Sequence, residues 1–257
     1  MRGAILLDLD GTLFEGDRWI PGAAAVVRTL LDRGWQIRFV SNTTMRSRAQ
    51  LLQRFAHTGL PIDAGWMFTP VRAAYEWLRT RSLQHGVLAL VHPDLRPDLA
   101  SIPLVQTPPA DFVLVGDMGD TWHIAILNQA LRALLQGARL IALQKNRLWK
   151  APDGYRMDAG AFVVALEYAS RRSCEMVFGK PNPVFFQMAL RSIGDFTGPA
   201  WMVGDDLEKD ILPAQRLGLR GVLIRRDPVL SHTDTGERPD FQIPSITALP
   251  DLLAAQA

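Results

Sequence analysis

The feature that most constrains this chain is an apolar run near its start that ends in two carboxylates. Residues 4–9 are apolar apart from Asp8, and Asp10 and Gly11 follow. A short apolar run that stops at a turn residue is typical of a strand buried on both faces of a parallel sheet. We therefore predict a central strand with both carboxylates at its carboxyl end, the edge where ligands bind in open α/β sheets. Paired carboxylates there are unfavourable without a cation, so we expect a divalent metal.

The rest of the chain alternates segments of strand and helix character, which predicts a doubly wound parallel α/β sheet. Residues 21–34 have helical spacing, residues 35–40 form a second strand, and residues 200–203 form another buried strand in the last third. Residues 82–174 start with a predicted strand over 86–91, continue through a proline-rich stretch over 93–109 and have their own strand–helix alternation, which indicates a smaller inserted α/β cap domain. The predicted domains are a core over 1–81, the cap over 82–174, and the rest of the core over 175–257.

The composition argues against several classes of protein. The 257 residues are 48% hydrophobic and 21% charged, which is ordinary for a globular chain. A net charge of +2 without a long basic run gives no sign of nucleic-acid binding. The single cysteine, Cys174, excludes an intramolecular disulfide and a cysteine-based zinc cluster. No signal peptide or membrane-spanning apolar stretch is evident, so we expect a cytoplasmic protein with no membrane partner.

Polar side chains follow further predicted strands in the same way. Ser41 and Asn42 come after the second strand, and Lys180 follows a short strand and a glycine. Asp205 and Asp206 follow the strand over 200–203. Because the carboxyl ends of parallel strands share one edge, we expect these groups to converge there. Ser41 would bind a phosphate oxygen, Asn42 would orient the ligand, and Lys180 would attract phosphate and screen the carboxylates.

This set of groups suits phosphoryl transfer. Asp205 joins Asp8 as a hard oxygen ligand, and a few carboxylates with open positions suit Mg²⁺, which also binds substrate phosphate. A carboxylate nucleophile, an acid/base two residues later, a lysine and a metal are the parts needed for transfer through an aspartyl-phosphate. Ordinary roles are also open: Lys180 as a surface lysine, and Ser41 with Asn42 as a cap of the next helix.

The same residues resemble the motifs of the haloacid dehalogenase superfamily of phosphatases. The resemblance runs from Ile5 to about Leu253. Its insert is placed like the cap of the NagD-like branch, the nitrophenylphosphatase-type subfamily IIA. The four motifs, in chain order, resemble Asp8-Leu9-Asp10-Gly11-Thr12, Ser41, Lys180 within Gly179-Lys180-Pro181, and Gly204-Asp205-Asp206 with Asp210.

The resemblance implies a role for each residue. Asp8 would be the nucleophile, and Asp10 would protonate the leaving oxygen and then activate water. The Mg²⁺ ligands would be the Asp8 carboxylate, the Asp10 main-chain oxygen and Asp205. Asp206 is open between a metal contact and support of the ligands, and Asp210 is favoured as a support of its loop. The substrate-binding residues would be Asp8, Leu9, Asp10, Ser41, Asn42 and Lys180.

The expected function is a Mg²⁺-dependent phosphatase that hydrolyses the phosphate monoester of a small molecule through an aspartyl-phosphate. A phosphoryl-transferring mutase is an alternative with the same first step. A catalytically silent binding or regulatory protein that keeps the fold is another. Caps of the NagD-like branch often take part in dimers, so the resemblance is compatible with a homodimer. The identity of the substrate does not follow from the residues.

Overall fold

A computed structural model describes residues 3–151, 154–225 and 236–256. The chain divides into two compact units. The first unit comprises Met1–Ser41, Ala49–Phe68 and Lys180–Ala257. The second unit comprises Asn42–Arg48 and Thr69–Gly179. The second unit is therefore inserted into the sequence of the first.

The secondary structure alternates along the chain. The strands are β1 (Ala4–Asp8), β2 (Phe14–Glu15), β3 (Arg18–Trp19), β4 (Gln36–Val40), β5 (Met67–Phe68), β6 (Val87–Leu90), β7 (Leu104–Val105), β8 (Phe112–Val115), β9 (Arg139–Ala142), β10 (Leu148–Ala151), β11 (Gly154–Met157), β12 (Met176–Val177), β13 (Ala200–Gly204), β14 (Arg220–Ile224) and β15 (Phe241–Ile243). The α-helices are α1 (Ala23–Asp32), α2 (Arg48–Gln53), α3 (Pro70–Leu78), α4 (Ile124–Leu135), α5 (Ala159–Ser170), α6 (Pro183–Arg191), α7 (Leu212–Gln215) and α8 (Leu249–Ala255). Within the described ranges, none of these helices has the length and apolar character needed to cross a bilayer.

The first unit is built on a six-stranded sheet with the order β15-β14-β13-β1-β4-β5. All its neighbouring strands are parallel, which confirms the predicted doubly wound fold. The central strand, β1, pairs with β4 on one side and β13 on the other. The chain runs outward from β1 in one direction first and later in the opposite one, so the β1–β13 pair is the topological switch point. Ligands bind at the carboxyl ends of strands at such a point.

The apolar run that opens the chain explains why β1 is central. All five residues of Ala4–Asp8 are buried. Ile5, Leu6 and Leu7 are each 0% exposed, because both faces of the strand are covered. Burial of each such side chain contributes about 1.5–3 kcal/mol to stability. The energy of this packing fixes the position of the two carboxylates that follow the run.

A short hairpin follows β1 directly. Strands β2 and β3 are antiparallel, with Phe14 opposite Trp19, and Gly16 and Asp17 connect them. Gly16 has φ of +59°, a conformation that glycine adopts readily. The rings of Phe14 and Trp19 lie 4.3 Å apart between centroids. This hairpin is not among the predicted elements, although a Gly-Asp pair between two short strands is a recognised hairpin signal.

The second unit is a smaller α/β module, as predicted. Its five-stranded sheet has the order β12-β9-β8-β6-β7, with every pair parallel. A separate antiparallel hairpin joins β10 and β11. Ala130 and Leu134 of α4 and Val163 of α5 are buried in the core of this unit.

The boundaries of the two units differ from the predicted ones. Helix α3, which the prediction places in the core, belongs to the second unit, because Trp77 packs on Phe112 and Phe178 with ring centroids 5.3 and 5.5 Å apart. Strand β12, also predicted to be core, pairs with β9 of the second sheet. The long segment of the second unit therefore begins after Phe68 and ends at Gly179, rather than after residue 81 and at residue 174, and the short segment Asn42–Arg48 also belongs to this unit.

Candidate active site

The candidate site lies where β1 and β13 end side by side in the first unit. Asp8 is the last residue of β1, and Asp205 comes directly after the last residue of β13. The two strands are in register, with Leu7 opposite Val203, so their ends are level. Asp210 lies in a π-helical turn over Leu207–Ile211 that continues from β13. Turns of this kind are frequent at functional sites.

Three carboxylates meet at this point. Asp8, Asp205 and Asp210 each offer an oxygen atom, and these atoms lie within 4.8 Å of one another. Asp8 and Asp210 are buried, whereas Asp205 reaches solvent. This arrangement confirms that the ends of the first and last predicted buried strands converge. It also brings in Asp210, which the sequence analysis favoured as a support of its loop.

Two glycines make the approach of these carboxylates possible. Gly11 has φ of +84°, and a Cβ at this position would lie 1.9 Å from Oδ2 of Asp205. A Cβ on Gly204 would lie 2.5 Å from Oδ2 of Asp210. Neither separation is compatible with a side chain, so the glycines beside the aspartates are part of the construction of the site.

Lys180 lies between two of the carboxylates. Its Nζ atom is 2.6 Å from Oδ1 of Asp8 and 2.5 Å from Oδ1 of Asp210. The Lys180 side chain is only 5% exposed, which excludes the surface-lysine alternative. Burial disfavours its charge, but the carboxylates of Asp210 and Asp8 outweigh that effect and raise the pKa of Lys180. Lys180 therefore stays a cation throughout the physiological range.

The carboxylates resist ionising together. Burial raises the pKa of Asp8 well above its ordinary value, and the charges of Asp210 and Asp205 add to the effect, while Lys180 opposes it. Loss of hydration and repulsion by Asp210 raise the pKa of Asp205 to about 6, although part of its side chain reaches solvent. One lysine does not compensate three carboxylates. The excess negative charge on hard oxygen donors fits a divalent cation such as Mg²⁺.

Asp10 comes two residues after Asp8, and its side chain is 58% exposed. Its Oδ1 atom is 2.9 Å from Nη1 of Arg54, and the Oγ atom of Ser41 lies 3.5 Å from its Oδ2 atom. Ser41 is itself buried, and its N–H donates to the carbonyl oxygen of Phe68. The structure thus brings together the predicted nucleophile, acid/base and phosphate-binding hydroxyl at one sheet edge.

Asp206 does not join the group of three carboxylates. Its Oδ1 atom accepts hydrogen bonds from the backbone N–H groups of Glu208 and Lys209, at 3.0 and 2.9 Å. Its Oδ2 atom pairs with Nζ of Lys209 at 2.9 Å. Burial opposes the charge of Asp206, but these contacts with Lys209 lower its pKa overall. Asp206 therefore supports the π-helical turn that carries Asp210, a supporting role that the sequence left open beside a metal contact. Asp210, which the sequence favours as a support, instead lies with Asp8 and Asp205.

Leu9 and Asn42 are the other two residues predicted to bind substrate. The side chain of Leu9 is fully buried, and its N–H donates to the carbonyl oxygen of Val40 at 3.2 Å. Asn42 groups with the second unit. Substrate binding by Leu9 and Asn42 stays a prediction, as does the Asp10 main-chain oxygen as a metal ligand.

Arg54 is a residue of the site that is not among the predicted ones. This residue follows α2 and pairs with Asp10. An arginine after a short amphipathic helix is usually a surface residue, so no local pattern separates it from the other arginines of the chain.

The pKa of Asp205 predicts how the metal-free protein responds to pH. The pKa of the Asp205 carboxyl rises from 3.8 to about 6 on folding, so the folded protein becomes less stable as pH rises through that interval. After allowance for solvent screening, this titration lowers the free energy of unfolding by on the order of 1 kcal/mol between pH 5 and pH 7.5. In EDTA we therefore expect the melting temperature to be about 2–4 °C higher at pH 5 than at pH 7.5. Mg²⁺ at pH 7.5 should recover the loss. Thermal melts of wild type and Asp205→Asn measure this contribution.

The difference between the two proteins isolates Asp205 from the other titrating groups. Asp205→Asn should reduce, without abolishing, the fall in melting temperature between pH 5 and 7.5, because the raised pKa of Asp8 remains, and should also reduce the response to Mg²⁺. An exposed control, Asp251→Asn on α8, should keep both responses. Equal pH dependence in wild type and Asp205→Asn would contradict the assignment of the elevated pKa.

Comparison with protein families gives matches at both ends of the chain. A model described as haloacid dehalogenase-like hydrolase matches residues 5–103. A second model, described as HAD-hydrolase-like, matches residues 177–249. The two matches cover both of the sequence regions that carry the candidate site.

Known proteins are similar over most of the chain. The human haloacid dehalogenase-like hydrolase domain-containing protein 2 is 39% identical over 222 residues, covering 86% of this chain and 83% of that protein. The phospholysine phosphohistidine inorganic pyrophosphate phosphatase of Danio rerio is 32% identical over 257 residues, covering 97% and 93%. Among solved structures, the p-nitrophenyl phosphatase from Archaeoglobus fulgidus matches with a TM-score of 0.85 and 26% identity over 98% of both chains.

Proposed function

The chain belongs to the haloacid dehalogenase-like hydrolase family, as a phosphatase of its nitrophenylphosphatase-type branch, and from that premise we propose its reaction. The protein hydrolyses a phosphate monoester of a small molecule, with Mg²⁺, through an aspartyl-phosphate on Asp8. The observation that carries this proposal is the buried contact of Lys180 with Asp8 and Asp210, beside Asp205. The Lys180 cation favours the ionised form of Asp8 and fixes its position at the sheet edge where ligands bind, as a carboxylate nucleophile requires.

The first step transfers the phosphoryl group to the protein. An oxygen of the Asp8 carboxylate forms a bond to phosphorus while the bond from phosphorus to the leaving oxygen breaks. Asp10 gives its proton to that oxygen, and the alcohol leaves. The Ser41 hydroxyl would bind an oxygen of the transferring group, and its position 3.5 Å from Oδ2 of Asp10 supports this role. The Lys180 cation balances negative charge beside Asp8.

The second step hydrolyses the acyl phosphate. Asp10, now a carboxylate, takes a proton from a water molecule whose oxygen bonds to phosphorus. The bond between phosphorus and Asp8 breaks, inorganic phosphate leaves, and the Asp8 carboxylate is restored. The proton that Asp10 gained returns it to its starting state, so the two steps close a cycle. One residue thus acts as acid and then as base.

Asp8, Asp205 and Asp210 would hold the Mg²⁺ ion. When bound, the ion supplies positive charge that neutralises the carboxylates and the phosphoryl oxygens. The carboxyl groups fit it because their crowding raises the pKa values of Asp8 and Asp205, a repulsion that a divalent cation removes.

Release of phosphate from p-nitrophenyl phosphate tests the proposal. We expect turnover with Mg²⁺, with kcat on the order of 1–10 s⁻¹, and loss of turnover in excess EDTA. The same assay extends to sugar phosphates, nucleotides and pyridoxal phosphate to find the substrate class. Absence of Mg²⁺-dependent phosphate release across the panel would contradict the phosphatase assignment and favour the silent binding protein.

The products separate hydrolysis from transfer. A phosphatase releases inorganic phosphate in a one-to-one ratio with the alcohol. A mutase instead returns the phosphoryl group to another hydroxyl, so the phosphate monoester is conserved. Formation of a phosphate isomer without inorganic phosphate would replace the proposal with the mutase.

The panel should include phosphoramidates and inorganic pyrophosphate, because a relative carries the name phospholysine phosphohistidine inorganic pyrophosphate phosphatase. Breaking a P–N bond also requires protonation of the leaving atom, which is the role proposed for Asp10.

We also propose a cytoplasmic location and a small phosphorylated molecule as the partner, both on the sequence alone.

A further inference from the structure

We propose that Arg54 is a positioning residue that fixes the Asp10 carboxyl by tying it to the hairpin of β2 and β3. This inference rests on the proposed function, because Asp10 is the acid/base only if the protein is a phosphatase. It adds to that function a residue outside the four motifs that sets the orientation of the acid/base.

The Arg54 guanidinium contacts both Asp10, which follows β1, and the turn of the hairpin. Nη1 lies 2.9 Å from Oδ1 of Asp10, and Nη2 donates a hydrogen bond to the carbonyl oxygen of Gly16 at the hairpin turn. The Nε atom is 3.9 Å from a carboxylate oxygen of Asp17. The plane of the guanidinium thus spans from the acid/base to the tip of the hairpin.

The hairpin also fixes the backbone of Arg54. The Nε1–H group of Trp19 donates to the carbonyl oxygen of Arg54 at 3.1 Å. The guanidinium carbon lies 4.0 Å from the centre of the Phe14 ring, a cation–π contact. Both ends of the arginine are therefore held by β2 and β3, which leaves little freedom to the group that holds Asp10.

The burial of Arg54 indicates that this contact is a built feature. Its side chain is only 6% exposed, although Asp10 is 58% exposed. The buried Nε atom has no hydrogen-bond partner among the described residues. A buried guanidinium is expensive to desolvate, so its retention needs a compensating carboxylate, and Asp10 is the nearest.

The shape of arginine explains why this residue type is used. A guanidinium is planar and presents several N–H donors in fixed directions, so it can bind the Asp10 carboxylate and the Gly16 carbonyl at the same time. A lysine would offer one charged point and would not bridge both acceptors. Ser41 contacts the second oxygen of Asp10, so the carboxyl is restrained from two sides.

The dependence of the reaction on the leaving group tests the proposal. The value of kcat/KM reports the steps up to phosphoryl transfer, in which Asp10 protonates the leaving oxygen. An alkyl phosphate needs that proton, whereas p-nitrophenolate leaves well without it. For Arg54→Met we expect kcat/KM for a simple alkyl phosphate to fall about 30-fold or more, and for p-nitrophenyl phosphate less than about threefold.

Three variants accompany this measurement. Asp10→Asn should show the same selective loss, larger in size. Arg54→Lys should recover part of the alkyl phosphate activity, because it keeps the charge but not both hydrogen bonds. Arg28→Met is the matched control: Arg28 donates to the carbonyl oxygens of Thr58 and Gly59 in the same segment without touching Asp10. It should affect both substrates equally and by less than about threefold.

The outcomes separate the two proposals. Equal losses for both substrates in Arg54→Met, in step with a lower melting temperature, would show a structural role and overturn the positioning role. If folded Arg54→Met or folded Arg54→Lys hydrolysed the alkyl phosphate with the same kcat/KM as the wild type, the positioning role would be overturned as well. A wild-type protein without Mg²⁺-dependent turnover would instead contradict the proposed function itself.

Discussion

Replacement of Asp8 by asparagine is expected to abolish turnover, with kcat lower by at least about 10⁴-fold for every substrate that the wild type accepts. An amide oxygen is too weak a nucleophile to take the phosphoryl group, and no neighbouring carboxylate has the position of Asp8 at the end of β1. The fold should persist, because Lys180 keeps its ion pair with Asp210 and a carboxylate with an unfavourably raised pKa is removed.

The control for this variant is Asp251→Asn, an exposed aspartate on α8 of the same unit. It should retain kcat within about twofold, since surface substitutions rarely disturb a distant site. The melting temperature of metal-free Asp8→Asn should be no lower than that of the wild type. Residual turnover above about 1% of wild type by a preparation free of contaminating phosphatase would contradict the nucleophile assignment.

Replacement of Lys180 by methionine should damage both stability and catalysis. Asp8 and Asp210 would lose a buried cation that lies 2.6 and 2.5 Å from their oxygens. Removing one partner of a buried ion pair destabilises a protein by about 3–5 kcal/mol. We expect kcat at saturating Mg²⁺ to fall by about 10³-fold or more, because the charge that balances the phosphoryl transfer is gone. Thermal melts and steady-state kinetics of the same preparation measure the two effects.

Lys209→Met provides the matched control for a lysine in the same unit. Lys209 also pairs with an aspartate, Asp206, at 2.9 Å, but its side chain is 50% exposed. An exposed pair contributes about 0–1 kcal/mol, so Lys209→Met should lower the melting temperature only slightly and should leave kcat within about threefold. Similar losses in Lys180→Met and Lys209→Met would mean that burial of the Lys180 pair does not matter.

Strong local patterns made the centre of the fold predictable. The apolar run before Asp8 is typical of a buried strand, and β1 ends at that residue. The strand predicted over 200–203 is β13, and its glycine and aspartate stand beside the end of β1. Parallel pairing then forces the polar residues after these strands to one edge. The sequence therefore predicts that Asp8, Lys180 and Asp205 meet at one edge of the sheet, as they do in the structure.

Other features depend on packing between distant segments, which no local pattern records. Helix α3 has apolar residues that suit either unit, and it belongs to the second unit because Trp77 packs on Phe112 and Phe178. Asp206 and Asp210 stand four residues apart in one acidic stretch, and the π-helical turn turns Asp210 inward. Strands β5 and β15 are too short to show alternation. Arg54 becomes a candidate only once its guanidinium is seen beneath the hairpin.

Trapping of the phosphoryl group on Asp8 tests for the proposed aspartyl-phosphate itself. Wild type and Asp10→Asn are mixed with p-nitrophenyl phosphate and Mg²⁺, quenched in acid, reduced with borohydride and digested for mass spectrometry. Borohydride converts an aspartyl-phosphate to homoserine, and slow hydrolysis in Asp10→Asn should make this product accumulate. We predict homoserine at position 8 and at no other aspartate. Turnover by the wild type with no modification in either protein, or with modification at another residue, would contradict the account.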